Sequence, residues 1–593
     1  MIQIKVGLAS CGIASGALEV YDRFQALVGL NSRYELKKVG CIGCCHEEPI
    51  VEVRIDENET LILKKVKKGD VERIIKFTEN QDLNLIADLI YGKRKDGRLV
   101  YTEIPYYFDL PYFKKQVKRV SDLCGIIDPE NINDYFFFNG YEAFKKALNM
   151  KREEIIAIVK ESGLRGRGGA GFPTGKKWEL MKESDEKYLI CNFDEGDPGA
   201  FMNRVLVESN PHLVIEGILI ASYALKVKKA FIYTRAEYPL AVSRLKIALK
   251  QAKEAKLFGQ DGLLKIDVEL RLGAGAYVCG EETALISSIE GNYGRPKQRP
   301  PFPAEKGLFE KPTTIDNVET LANLPLILKN GVEWFRSVGT TTSPGTKMYS
   351  LSGGVPRTGY IEFPLGTKLR DILECTGVDL NEIKGVQLGG PSGGCLSLDH
   401  LDLPIDYDNV PKHDAIMGSG SFVIIPKTQD MVDIARYFIQ FSVSESCGQC
   451  VPCREGTMRM KEILDKILEG DGNIKDLLAL EELAIAVRET SLCGLGKAAP
   501  NPVISTMKHF REDYVKHFTL SNLESPTEVY YINPDKCTGC NLCTNVCIAK
   551  SITGRLSEVH VIDQHLCKRC GLCLKACPVH AIEIKELSEI INK

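Results

Sequence analysis

The rhythm of apolar and polar positions changes several times along this chain, and each change marks a region. Residues 2–8 alternate as a strand does, and residues 16–28 repeat apolar positions at helical spacing. Strand-like runs at 36–39 and 50–55 and a helix near 70–77 follow, so residues 1–90 read as a small α/β domain. Residues 91–128 are mixed and rich in Tyr and Lys, which suits a connector. From 129 to 335 helices alternate with short apolar strands such as 188–191 and 230–234, the pattern of an α/β sheet. Residues 340–427 change character. Strands are expected at 347–353, 360–364 and 421–426, with one helix at 368–375 and Gly-rich turns at 389–394, a small β-rich domain. Residues 428–520 are helical throughout. Met431, Ile434, Ala435 and Phe438 share one face, Asn501-Pro502 starts the last helix, and four helices make a bundle. A polar linker at 521–527 leads to residues 528–593, which repeat one cysteine run about thirty residues apart.

Composition adds limits. The 593 residues are 44% hydrophobic and 26% charged, with a net charge of −3, a balance that gives no reason to propose nucleic acid or an anionic membrane as partner. No apolar run reaches the ~18–20 residues of a membrane span. The stretch 213–225 is interrupted by Glu216 and reads as a buried helix. The N-terminus reads as a strand without a cleavable signal, so the expected location is the cytoplasm. Twenty-one cysteines in such a chain point to metal ligation and not to disulfides.

Twelve of those cysteines fall into sets. The spacing Cys-x-x-Cys-x-x-Cys occurs three times, at Cys447/Cys450/Cys453, Cys537/Cys540/Cys543 and Cys567/Cys570/Cys573. Each triplet has a fourth cysteine available, in Cys493, Cys547 and Cys577. Soft thiolates at this spacing suit cubane iron–sulfur clusters and electron transfer. A second signal is the loop Gly163-Leu-Arg-Gly166-Arg-Gly168-Gly-Ala-Gly171-Phe172-Pro-Thr-Gly-Lys-Lys177-Trp178. It contains G-x-G-x-x-G but follows a helix, which is not the Rossmann context. Its glycines still let backbone amides approach phosphate or a flat ring. Asn192-Phe-Asp194-Glu195-Gly-Asp197 and Tyr277-Val-Cys-Gly280-Glu281-Glu282-Thr place carboxylates beside glycine after expected strands.

Taken in order, these motifs closely resemble the NADH- and FMN-binding subunit of respiratory complex I over about residues 130–520, as well as the flavin subunits of NAD-linked [FeFe] hydrogenases, electron-bifurcating ones included, and of NAD-linked formate dehydrogenases. The resemblance implies a multidomain α/β chain: a thioredoxin-like N-terminal domain, a Rossmann-like FMN/NADH domain, a β-grasp-like domain of the soluble-ligand-binding type, a four-helix [4Fe–4S] bundle, and a two-cluster ferredoxin tail. By that resemblance Gly166, Gly168, Lys177, Asn192, Asp194, Tyr277, Gly280, Glu281, Asn317 and Thr320 contact FMN, and Phe172, Glu195, Glu282 and Phe302 surround the nicotinamide nucleotide. Asp197, Arg299 and Asp316 depart from common family residues (Glu, Lys and Asn). Glu282 beside the adenosine ribose would repel a 2′-phosphate and favours NAD over NADP.

The tail resembles bacterial two-cluster ferredoxins, in which the fourth cysteine serves the other cluster. That assigns Cys537, Cys540, Cys543 and Cys577 to one cluster and Cys547, Cys567, Cys570 and Cys573 to the other. The resemblance likewise implies that Cys447, Cys450, Cys453 and Cys493 hold a bundle cluster, against a single structural zinc on spacing alone. The tail and N-terminal domain look like the hydrogenase-type relatives. The N-terminal domain resembles a thioredoxin-like [2Fe–2S] domain, but only Cys11, Cys41 and Cys45 fit its ligand pattern, with Gly16 where a fourth cysteine belongs. A bound cluster and a cluster-free docking domain both stay open. The expected function is hydride exchange between NAD(H) and FMN and single-electron exchange with the clusters. The implied partners are a small thioredoxin-like [2Fe–2S] subunit, a catalytic hydrogenase or formate dehydrogenase subunit, and ferredoxin. The competing reading is a non-enzymatic electron-transfer module with a vestigial nucleotide site.

Overall fold

Alternating burial along Ile2–Gly7 builds the first sheet of the computed structural model, which describes residues 1–273, 275–518, 528–564 and 566–586. The linker expected at 521–527 lies outside the described residues. The chain divides into two units, Met1–Thr428 and Gln429–Lys593.

In the first unit, Ile2–Gly7 pairs parallel with Tyr34–Val39 and antiparallel with Val51–Ile55, and Leu61–Leu63 and Ile90–Lys93 complete a five-stranded sheet. Helices Ala17–Val28 and Val71–Asn80 cover it, burying Val20, Phe24, Ile74 and Phe77. The expected boundary at residue 90 falls inside this sheet's last strand. Tyr101 and Ile104 also belong to its core, so the first part of the expected connector is part of this domain. Tyr107, Tyr112 and Phe113 instead join the core of the residue 346–426 sheet. Buried Glu362 fixes the connector's end, accepting hydrogen bonds from the backbone N–H groups of Arg119, Val120 and Ser121.

The central sheet has four parallel strands in the order Asp267–Gly273, Lys229–Arg235, Tyr188–Phe193, Thr313–Asn317. The chain steps outward through the first three in sequence, then crosses back to the far side of Tyr188–Phe193. The reversal makes a topological switch point between Tyr188–Phe193 and Thr313–Asn317, where α/β sheets place their ligands. Helix Pro211–Ala224 is buried along nearly its whole length, as its apolar run predicts. Its Glu216 carboxylate accepts from the Tyr135 hydroxyl and from the N–H groups of Tyr141 and Phe144. No single helix among the described residues is long and apolar enough to cross a membrane.

The same helix carries a buried histidine. His212 sits between the Tyr141 hydroxyl at 2.8 Å and Gln251 at 3.2 Å, and burial lowers its pKa to about 4. A buried neutral imidazole contributes stability that is intact above its unfolded pKa of about 6.5 and lost as pH falls toward the folded value. On going from neutral to about pH 4.5, unfolding free energy should fall by about 2–3 kcal/mol less in a His212→Gln variant than in the parent. Chemical denaturation at the two pH values measures this difference.

The third sheet runs Gly359–Pro364, Thr346–Gly353, Ser421–Pro426, Ile383–Leu388, Gly394–Ser397, with helix Leu369–Thr376 packed in its core. Lys347 on it forms a fully buried ion pair at 2.5 Å with Glu319 of helix Val318–Asn330, joining this sheet to the central one.

In the second unit, helices Met431–Glu445, Val451–Leu468, Ile474–Thr490 and Asn501–His509 share a core of residues such as Ala435, Met460, Leu480 and Val503. Ile434, expected on the apolar face, is only half-buried, and Ile439 fills the core position instead. Pro500 precedes the fourth of these helices, which starts at Asn501, one residue earlier than the Asn-Pro signal places it. The tail repeats one motif. Helices Leu542–Val546 and Leu572–Ala576 are framed by the pairs Glu528–Ile532 with Ile582–Glu586 and Ile552–Thr553 with Val561–Ile562.

Candidate functional site

The carboxyl ends of Tyr188–Phe193 and Thr313–Asn317 gather most of the residues expected around FMN. Asn192 Nδ2 donates to the Gly280 carbonyl at 2.9 Å, and its Oδ1 accepts from the Asp194 N–H at 3.0 Å. The Asn192 and Tyr277 loops are thereby locked together. Asn317 caps helix Val318–Asn330, accepting from the Glu319 and Thr320 N–H groups. The glycine loop closes over this edge. The Thr320 hydroxyl accepts from the Arg167 N–H at 2.8 Å, and Gly166 N–H donates to the Phe172 carbonyl at 2.9 Å. A Cβ on Gly168 would stand 3.1 Å from the Asn317 Cβ, so the loop approaches the strand end as closely as glycine permits. Closely packed backbone at a switch point, with amide and carboxylate groups beside it, suits a groove for a flavin mononucleotide.

The loop's two arginines do not face that groove. Arg167 is fully buried and donates to the carbonyls of Thr346, Arg165 and Pro344. Arg165 pairs with Asp408 at 2.8 Å and donates to the Gly171 carbonyl. They hold the loop's shape, while Lys177 reaches the end of strand Thr313–Asn317. Lys177 itself pairs with buried Asp316 at 3.0 Å, and Asp316 also accepts from the Trp178 indole at 2.8 Å. The departure to Asp at 316 therefore anchors the lysine. Asp197 accepts from the Tyr277 hydroxyl at 2.5 Å and from the Ser419 hydroxyl. A Cβ on Gly390 would come within 2.9 Å of Asp197. The Gly-rich turn at 389–394 thus reaches the flavin-side loop, a role its turn chemistry alone did not reveal.

The residues expected around the nucleotide divide. Glu282, Arg299 and Phe302 form one surface. Arg299 makes a direct ion pair with Glu282, lies 3.9 Å from Glu281, and stands 5.9 Å from the Phe302 ring. Phe302 is 52% exposed and Phe172 43% exposed, high for aromatic rings and suited to stacking on a flat ligand. Glu195 points inward. It accepts from the Asn203 N–H and Nδ2 and from the Arg204 N–H, so it braces the start of helix Met202–Ser209 and does not present itself to a ribose. The Glu281 carboxylate likewise caps helix Glu282–Ile289 through the N–H groups of Thr283 and Ala284.

Each cysteine set of the second unit converges. Cys450 precedes helix Val451–Leu468 and Cys493 precedes Gly494–Ala498. Cys447, Cys450 and Cys493 all act electrostatically on the buried Cys453 thiol, whose pKa burial pushes up to about 11. A Cβ on Gly496 would stand 3.0 Å from that of Cys453, so glycine lets the two ligand loops close. In the tail, Cys537, Cys540, Cys543 and Cys577 line one small cavity, and Cys547, Cys567, Cys570 and Cys573 line another. The fourth cysteine of each run therefore crosses to the other set. Four thiols around a cavity fit a cubane cluster. Cys570 also packs against the bundle core, which makes its set the one nearer the bundle.

Comparison with known proteins agrees with this layout. The Nuo51 FMN-binding domain model matches residues 159–326, the NADH-ubiquinone oxidoreductase-F iron-sulfur binding region matches 433–517, and the 4Fe-4S binding domain matches 530–553 and 560–583. The NADP-reducing hydrogenase subunit HndC of Solidesulfovibrio fructosivorans is 47% identical over 455 residues, 74% of this chain and 92% of that protein. The chain belongs to the complex I 51-kDa family. Another relative in the 51-kDa family, an NADH-quinone oxidoreductase subunit of Streptomyces coelicolor, is 44% identical over 64% of this chain and 86% of its own length. An NAD+-reducing [NiFe]-hydrogenase in its H2-reduced state superposes with a TM-score of 0.62 at 29% identity, over 87% of this chain and 84% of that one. As a 51-kDa family member the chain is an NADH-dehydrogenase-type flavoprotein subunit with an FMN-binding domain and 4Fe-4S regions.

Proposed function

We propose that this chain exchanges hydride between NAD(H) and FMN and passes single electrons to three [4Fe–4S] clusters within a hydrogenase-type complex. The observation carrying this reading is the convergence of Asn192, Gly168, Asn317 and the Tyr277 loop on one switch point, in a chain that also gathers three four-thiol sets. Bound flavin supplies the conversion between two-electron and one-electron chemistry. The protein holds the loop edges rigid, keeps Lys177 at the end of strand Thr313–Asn317, and offers Phe172 and Phe302 as walls for the nucleotide. No side chain needs to donate or remove a proton for hydride transfer. In this reading the N-terminal domain is thioredoxin-like and holds a [2Fe–2S] cluster, the central one is Rossmann-like, and the 346–426 sheet is β-grasp-like. The relatives' names favour a hydrogenase subunit over a formate dehydrogenase subunit as catalytic partner. A small thioredoxin-like [2Fe–2S] subunit and ferredoxin complete the set, and flavin-based bifurcation between NADH and ferredoxin, in the cytoplasm, is the proposed physiological use.

The test is diaphorase activity. Purified anaerobically, the chain should release about one FMN on denaturation and reduce an artificial acceptor with NADH. Clusters that titrate reversibly without any NADH response would instead favour the vestigial-site reading. Native co-purification identifies the catalytic partner.

A further inference from the structure

The first domain carries a buried donor group that the flavin machinery does not use. The sulfur atoms of Cys11, Cys41 and Cys45 lie within 4.8 Å of one another. Cys11 belongs to the turn of helix after the first strand, and Cys41 and Cys45 flank the loop after the second. The position that would supply a fourth thiol, Gly16, has a φ of +97° and nothing within 4 Å of where its Cβ would be. Cys44 does not replace it, because its side chain packs in the apolar core with Tyr112 and Ile361.

Glu48 is placed to do so. It is 7% exposed, and its Oε1 lies 3.6 Å from Cys11 Sγ. Its Oε2 is fixed by the Ile50 N–H at 2.8 Å, so the carboxylate is held with one oxygen toward the thiols. A Cβ on Gly12 would lie 2.2 Å from the Gly7 carbonyl and 3.2 Å from Glu48 Oε2, so only glycine lets Cys11 and the carboxylate meet here. The Gly43 N–H donates to Cys41 Sγ at 3.2 Å, the kind of amide contact that stabilises a ligating thiolate.

The distances suit tetrahedral metal coordination. Metal–sulfur bonds of about 2.3 Å and metal–oxygen bonds of about 2.0–2.2 Å put neighbouring donors of a tetrahedral metal roughly 3.5–3.8 Å apart. Cys41 and Cys45 are 3.8 Å apart and Cys11 and Glu48 3.6 Å, two such edges. We propose that Glu48 is the fourth ligand of a [2Fe–2S] cluster, with one iron on Cys41 and Cys45 and the other on Cys11 and Glu48. This rests on the reading above that the first domain holds a two-iron cluster.

The experiment compares the full-length chain with Glu48→Cys and Glu48→Gln after anaerobic reconstitution. It uses iron and zinc content, Mössbauer spectra and EPR of the reduced protein, with FMN content as the folding control. The parent should hold about fourteen irons, with two unlike ferric sites in the two-iron component. Glu48→Cys should keep about fourteen and bring the two sites close to equivalence, while Glu48→Gln should lose about two. If all three proteins keep about fourteen irons and one unchanged two-iron signature, Glu48 is not a ligand although the cluster exists. About twelve irons in the parent, with or without one zinc per chain, overturns the two-iron reading and the place of Glu48 with it.

Discussion

Replacing Cys493 with serine is expected to strip the helical bundle of its cluster, lowering iron content by about four per chain while NADH still bleaches the flavin. The geometry separates these two outcomes. Cys493 closes the Cys447/Cys450/Cys453 set from the start of its own short helix, and Gly496 brings that helix against Cys453. The flavin groove is built wholly from residues of the other unit, from the glycine loop to Asn317 and Tyr277. The substitution therefore changes a proposed ligand and none of the groove's own residues. NADH-dependent reduction of the tail clusters, read by EPR, should fall by about a hundredfold or more, equivalent to about 2.7 kcal/mol of barrier. Reduction of a two-electron acceptor taken directly at the flavin should stay within about twofold, well under 1 kcal/mol. An unchanged iron count would show that the Cys493 thiolate is not needed to hold this cluster, and undiminished tail reduction after loss of about four irons would remove the cluster from the proposed path.

The triplet Cys447/Cys450/Cys453 was legible in the sequence because its short fixed spacing suits cubane ligation in any tertiary context, whereas Cys493, far along the chain, was joined to it only as an available fourth thiol. The flavin groove was legible only through resemblance. Its strand Thr313–Asn317 is made of Thr, Thr, Ile, Asp and Asn, which no periodicity argument reads as buried sheet. Its buried polar groups are satisfied by partners far away in sequence, as with Asp316 and the Trp178 indole. Asp267–Gly273 was missed for a related reason, since much of the strand is only partly buried and its charged residues hide the pattern. Helix Pro211–Ala224 was readable because its long apolar run is interrupted at Glu216 and is otherwise that of a buried helix. What sequence could not supply was direction. Arg165, Arg167, Glu195 and Glu281 stand in the right motifs, yet they serve carbonyls, a carboxylate and helix starts within the protein.

Direction also decides the second large prediction, that Arg299→Ala should sharpen the preference for NADH over NADPH. Glu282 alone would repel a 2′-phosphate, which argues for NAD. In the structure its charge is met by Arg299, half-exposed and equally able to turn to a phosphate. An arginine beside a carboxylate at this position lowers the penalty for NADPH in two ways: it neutralises the repulsion, and it offers a bidentate donor. Without it, Glu282 stands uncompensated, and the ratio of kcat/KM for NADH to that for NADPH should rise by about tenfold or more, some 1.4 kcal/mol. Glu282→Gln, with Arg299 released, should move the ratio the other way by a similar factor, mainly through KM for NADPH. Both effects should shrink with added salt, because the charges lie at a solvent-facing rim. Steady-state kinetics with both nucleotides at two ionic strengths would decide it. A ratio that neither substitution moves would place the 2′-position of the ribose away from the Glu282–Arg299 pair.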